Sequence, residues 1–134
     1  MTQRIQLTFL ALILAQAAHS IEEYSYRLYD VLAPARYLSG LVTTGRRVGF
    51  LVISVALVAL GLWCYVVPVR RGVRAVAWAW AVVELANGVA HSVWALSAWA
   101  YRPGVAAAPL LLAAALGLMW QLPGADTAAR QPRD

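Results

Sequence analysis

Lysine is missing from this chain: all 11 basic residues are arginines. That excludes a phosphate-loop lysine, a Schiff-base lysine and a lysine general base. Cysteine occurs once, at Cys64, so neither an internal disulfide nor a cysteine-rich zinc cluster can form. Charge is scarce as well. Asp, Glu and Arg make up 13% of the residues, against about 25% in an ordinary globular domain. The hydrophobic share is 62%, where about 45–50% is usual. With 134 residues and a mean hydropathy of +0.65, the chain reads as one all-α domain of a polytopic membrane protein. A net charge of +5 would fit a nucleic-acid partner if the arginines formed a patch. They stand instead between apolar runs, where loops meet anionic lipid head groups, so the expected partner is the bilayer and no nucleic acid.

Four apolar stretches organise the sequence, and their spacing predicts a four-transmembrane-helix bundle. The expected spans lie near Ile5–Tyr24, Val48–Val69, Val73–Tyr101 and Val105–Leu122. A helix needs about 20 residues to cross the hydrocarbon core. Pro34, Pro68, Pro103 and Pro123 stand at or just beyond the ends of these runs, where proline stops a helix. The stretch Ser25–Arg47 reads as the longest loop. Residues 1–123 form the single membrane domain in this reading, and residues 124–134 a polar, disordered tail. A rival reading exists for the N-terminus. Arg4, the apolar run Ile5–Leu14 and Ala15-Gln16-Ala17 resemble a signal peptide with its cleavage site, which would leave three spans. Counting arginines on alternate sides gives a weak excess, six against five, on the side of both termini, which points to an inner-membrane protein with cytoplasmic ends.

Ionisable side chains within apolar spans are costly, about 2.5–3.5 kcal/mol each at the bilayer centre. This chain has several, including both of its histidines. His19, Glu22 and Glu23 stand at i, i+3 and i+4 of the first span, with Gln16 one turn earlier. Glu84, Asn87, Gly88 and His91 stand at i, i+3, i+4 and i+7 of the third. Each set therefore shares one helix face. At a rise of about 1.5 Å per residue, His19 lies about 22 Å from Arg4 and His91 about 25 Å from Arg74. If the first and third spans run the same way, both stripes reach the same depth, toward the end that carries the Ser25–Arg47 segment.

The string His19-Ser20-Ile21-Glu22-Glu23-Tyr24 resembles the signature of the HXXEE family of small polytopic membrane proteins. The later runs Asn87-Gly88-Val89-Ala90-His91 and Tyr101-Arg102-Pro103-Gly104 resemble further elements of that family in the same order. The resemblance covers the chain from about Leu10 to Leu122. It implies an integral-membrane enzyme, and its motif residues fall on His19, Glu22, Glu23, Asn87 and His91. It brings no substrate with it.

Two imidazoles with nearby carboxylates suit Zn²⁺, Mn²⁺ or Fe²⁺. In that reading His19, Glu23, His91 and Glu84 are the candidate ligands, with Glu84 added on helical spacing. Glu22, Glu23 and Asn87 are the candidate catalytic groups: one glutamate acts as general base toward water at the ion, and the asparagine orients a substrate carbonyl. The expected chemistry is hydrolysis or isomerisation of a lipid-like molecule. Without a metal, the same groups could form a His/Glu acid–base pair. The H-x-x-E-E order differs from H-E-x-x-H, so the zincin mechanism does not transfer. Two non-enzymatic readings stand beside these: a bundle locked by His/Glu pairs, or a proton or metal transporter. The tryptophans suit the membrane interfaces, with Trp94 and Trp80 lining the site as the alternative; Arg27 and Arg36 either meet an anionic head group or only snorkel or cap the loop.

Overall fold

The computed structural model describes the backbone of residues 1–129 and the side chains of residues 1–122. Helix α1 spans Gln3–Ser25, α2 Leu28–Val31, α3 Ala33–Val42, α4 Arg46–Cys64, α5 Arg74–Ala98 and α6 Ala108–Ala129. No strand occurs among the described residues, so the fold is all-α.

Helix α1 begins where the Thr2 hydroxyl accepts from the Ile5 amide, an N-cap that meets one of the unpaired donors of the first turn. It ends where Arg27 turns left-handed, at φ +58°. Its buried residues form one stripe: Ile5, Phe9, Leu12, Ile13, Ala15, Gln16, His19, Ser20 and Glu23. The 3.6-residue period places all of them on the side facing the other helices. The first half of this stripe is apolar and the second half polar.

The segment expected as a loop over Ser25–Arg47 is instead two short helices, α2 and α3. Pro34 lies in the first turn of α3, where its fixed φ suits a helix and its missing N–H has no intrahelical partner to lose. Leu28 and Tyr29 bury themselves against Phe50 of α4. Close packing of α3 on α4 depends on Gly49, where a Cβ atom would lie 2.0 Å from the Ser39 carbonyl oxygen.

Helix α4 passes into a wide π turn over Tyr65–Val69 that contains Pro68. The Arg70 amide reaches back five residues to the Tyr65 carbonyl, and Val73 does the same to Pro68. Proline cannot donate, so the hydrogen bonding shifts to the wider spacing around it. Helix α6 runs beyond the end expected at Leu122, through residues 123–129; residues 130–134 of the expected tail lie outside the described residues.

The main core lies between α1, α5 and α6. Phe9, Leu12, Ala77, Ala81, Leu111 and Leu118 are its fully buried centre. Trp80 meets Phe9 edge-on, and Cys64 is an apolar filler at the core margin. Helix α4 leans on the outside of α1. Although α4 with its π turn is the most apolar segment, only 22% of its most apolar window is buried inside the molecule. Val82, Val83, Val89, Val93 and Leu96 likewise turn outward from α5. Among the described residues, two helical segments, Gln3–Ser25 and Arg46–Val69, are long and apolar enough to cross a membrane, and Ala108–Leu122 is a shorter apolar helix.

Candidate metal centre

The polar end of the α1 stripe meets α5 at its two histidines. The His19 and His91 rings stand edge to face, with centroids 4.6 Å apart. Glu23, one turn beyond His19, sends one carboxylate oxygen between them. Glu23 Oε1 lies 3.3 Å from His19 Nε2 and 3.1 Å from His91 Nε2. All three residues are buried, and one donor atom from each falls within 4.8 Å of the others. Trp94 borders the group, its ring 6.1 Å from that of His91. Trp80 packs instead in the apolar core.

The orientation of His91 comes from the turn between α5 and α6. Its Nδ1 lies 2.7 Å from the Pro103 carbonyl oxygen. A carbonyl only accepts, so Nδ1 carries a proton and donates it. Nε2 is aimed at Glu23: in a neutral ring it is a lone pair open to a metal, and in an imidazolium it donates to the carboxylate. This is how metal-binding histidines are commonly held, with the far nitrogen tied to a backbone carbonyl. His19 is fully buried; its Nδ1 has no hydrogen-bond partner, and the polar neighbour of its Nε2 is the Glu23 oxygen at 3.3 Å. An unmet buried polar atom of this kind costs about 1–3 kcal/mol.

Both features fit a cation among these three side chains. With metal–donor distances of about 2.0–2.2 Å, donors at neighbouring corners of a tetrahedron lie about 3.4 Å apart. The two edges to Glu23, 3.1 and 3.3 Å, are close to that spacing, and all three donor atoms lie within 4.8 Å of one another. With both Nε2 atoms unprotonated, a cation would take their lone pairs and the Glu23 oxygen together.

Gly104 closes the site from above. It has φ +93°, a conformation that favours glycine, and a Cβ there would lie 2.5 Å from His91 Nδ1 and 2.6 Å from His19 Cε1. The turn is held by Glu22. Glu22 Oε1 accepts from the amides of Gly104 and Ala106, each at 3.0 Å, and Oε2 from the amide of Ala107 at 2.7 Å. The Tyr101 hydroxyl also donates to Oε1. Burial, and then the Glu22 carboxylate beside it, raise the Tyr101 phenol above its ordinary range. Adjacent glutamates thus face different ways: Glu23 points to the imidazoles, Glu22 to the turn.

Glu84 and Asn87 stand apart from the three-residue group. Glu84 is seven residues before His91, about 10.5 Å along α5, so it shares the face but lies two turns deeper. It is buried, hydrogen-bonded to Asn87 and within electrostatic reach of His19 and Glu23, while its Oε2 has no hydrogen-bond partner. Gln16 Oε1 is likewise buried without a partner, and the Gln16 amide donates to Ser20 at 3.0 Å. Arg27 pairs with Asp30 at 2.8 Å, away from the imidazoles. Neither charge nor periodicity marks Pro103 and Gly104 as site residues. Their signal lies in the Tyr-x-Pro-Gly run, where a proline–glycine pair demands a particular turn.

Compared with protein-family models, with characterised proteins and with solved structures, the chain shows no significant match.

Proposed function

We propose that this chain is a four-span membrane protein whose α1–α5 junction holds a divalent cation, and that it acts as a metal-dependent hydrolase or isomerase on a lipid-like substrate. The observation that carries the reading is the convergence of two imidazole nitrogens on one oxygen of Glu23, with His91 oriented by the Pro103 carbonyl. Spanning by α5 is supported by length: at about 1.5 Å per residue its 25 residues reach about 37 Å, against a hydrocarbon core of about 30 Å. The apolar part of α6, Ala108–Leu122, reaches about 22 Å, a mismatch that local thinning of the bilayer would accommodate. The outward apolar faces of α4 and α5 also fit lipid better than water. The resemblance to the HXXEE family points the same way.

In this reading His19, His91 and Glu23 are the ligands. A bound divalent ion would supply Lewis-acid chemistry, polarising a substrate oxygen or making water more acidic. The roles of the chain's own residues follow from their contacts. Glu22 is a positioning residue, because its two oxygens already hold the turn that carries Pro103 and Gly104. Glu84, held by Asn87, is the carboxylate available to take up a proton below the ligands. Arg102, whose guanidinium lies 5.2 Å over the Trp94 ring, is placed beside the His91 side of the site to meet an anionic substrate group.

A second reading has its own support. The Glu22 contacts satisfy a polar group wholly within the bundle, and a Glu23–imidazolium pair would do the same. On that reading the cluster is a polar lock with no catalytic task. Metal analysis of detergent-purified protein, wild type beside His19→Ala, decides between them. The proposal expects about one divalent ion per chain in wild type and near none in the variant. Wild type free of metal in metal-replete medium, yet destabilised by the substitution, would favour the lock.

A further inference from the structure

We propose that the cleft between α1 and α4 binds one anionic phospholipid, with an acyl chain in an apolar groove and the phosphate among Arg27, Arg46 and Arg47. The proposal rests on α1 and α4 crossing the bilayer, not on the metal. These are the two segments long and apolar enough to do so.

The groove has a volume of about 370 Å³, and Ala17, Ile21, Leu51, Val55, Val58 and Leu62 form its walls. From Leu51 to Leu62 it follows 11 residues of α4, about 16 Å. One leaflet of a hydrocarbon core about 30 Å thick has nearly the same depth. A single acyl chain therefore matches the groove in length and in polarity.

Its upper end is different. Tyr24 lines the groove, and its hydroxyl accepts from Arg47 Nε at 2.8 Å. Arg47 lines a second cavity of about 640 Å³, with Arg27, Arg46, Thr44, Gly45 and Asp30. Three guanidiniums there face one carboxylate, and Asp30 is already paired with Arg27 at 2.8 Å. Arg47 is bonded to a neutral phenol. Arg46 has no hydrogen-bond or ion-pair partner among the described residues. An excess of positive charge thus sits where the acyl groove ends, and Tyr24 joins the two parts. On α1 the groove residues 17, 21 and 24 lie on a different face from His19 and Glu23, with Ser20 at the border of the two, and neither imidazole lines the groove.

The test uses the full chain in nanodiscs with equal amounts of phosphatidylglycerol and phosphatidylcholine of identical acyl chains. Native mass spectrometry then reads the lipid retained. The expected result is one retained phosphatidylglycerol in wild type. Selectivity should fall about fivefold with Arg46→Gln and again with Arg47→Gln. Val55→Trp, which fills the groove, should reduce retention of both lipids while bound metal is unchanged. Equal retention of the two lipids by wild-type protein integrated in the membrane would overturn the lipid site and leave the spanning reading intact. A chain recovered soluble without detergent would overturn the spanning reading itself. Dimers that Val55→Trp dissociates would show that a second copy, not a lipid, occupies the groove.

Discussion

The two ends of the bundle use one helical stripe for different purposes. Toward the N-terminus of α1, the stripe is Ile5, Phe9, Leu12 and Ile13, closed by Leu118 and Leu122 of α6 and by Ala77 and Ala81 of α5. Toward its C-terminus the same stripe is Gln16, His19, Ser20 and Glu23, closed by His91 and the turn at residues 101–107. At the first end the buried stripe makes only non-directional contacts, and one polar tie beside it, Gln121 donating to the Thr8 hydroxyl at 3.0 Å, joins α1 to α6. At the second, the buried contacts themselves are directional, and His19 Nδ1 is left without a partner. Stability and chemistry are thereby separated along one axis, so substitutions at the two ends should have separable effects.

The largest expected effect is loss of the ion. His19→Ala or His91→Ala should each remove nearly all bound divalent metal, and the double variant should be little worse, because ligands of one ion act as a unit. Elemental analysis per mole of protein checks this, and full occupancy in both single variants would count against a shared site. Leu118→Ala tests the opposite end. It should lower unfolding stability in detergent by about 2–5 kcal/mol while metal stoichiometry stays at the wild-type level.

Gly104→Ala lies where the two kinds of contact meet. Its Cβ would enter the space of both imidazoles, and φ +93° would strain the backbone. A loss of about 1–3 kcal/mol should accompany reduced metal content, unlike the Leu118 result. Glu22→Gln should cost about 1–3 kcal/mol, since an amide NH₂ would have to face a backbone N–H, with metal retained. Complete loss of metal in that variant would place Glu22 among the ligands. Tyr101→Phe is the smallest change, about 1 kcal/mol. Because the folded state raises the Tyr101 phenol, its contribution is full below the unfolded phenol value near 10 and is lost at higher pH. Thermal melts in detergent above that pH should show a smaller alkaline loss for Tyr101→Phe than for wild type.

Much of the site is legible in the sequence because polar residues in apolar helices are rare and helices have a fixed period. His19, Glu23 and His91 can be matched by face and by depth from their positions in the chain alone. Glu84 passes the test of face but not the test of depth, since i and i+7 lie two turns apart. The difference between Glu22 and Glu23 is not legible. Neighbouring residues on a helix point about 100° apart, and what each meets depends on where α6 lies. The helices α2 and α3 are also hidden. They are short, and their support comes from Phe50 and Gly49 on another helix, not from their own sequence.

The carboxylate of Glu22 has one more consequence. Three convergent backbone amides, at Gly104, Ala106 and Ala107, would ordinarily form a ready cradle for an oxyanion developing during acyl or phosphoryl transfer. Here Glu22 fills that cradle permanently. Negative charge arising on a substrate at this end of the bundle has to be met elsewhere, by a cation between the imidazoles or by Arg102. The amides of the α5–α6 turn therefore act as scaffold, and on the proposed function the electrophilic work would fall to the cation or to Arg102, the turn's own cationic side chain.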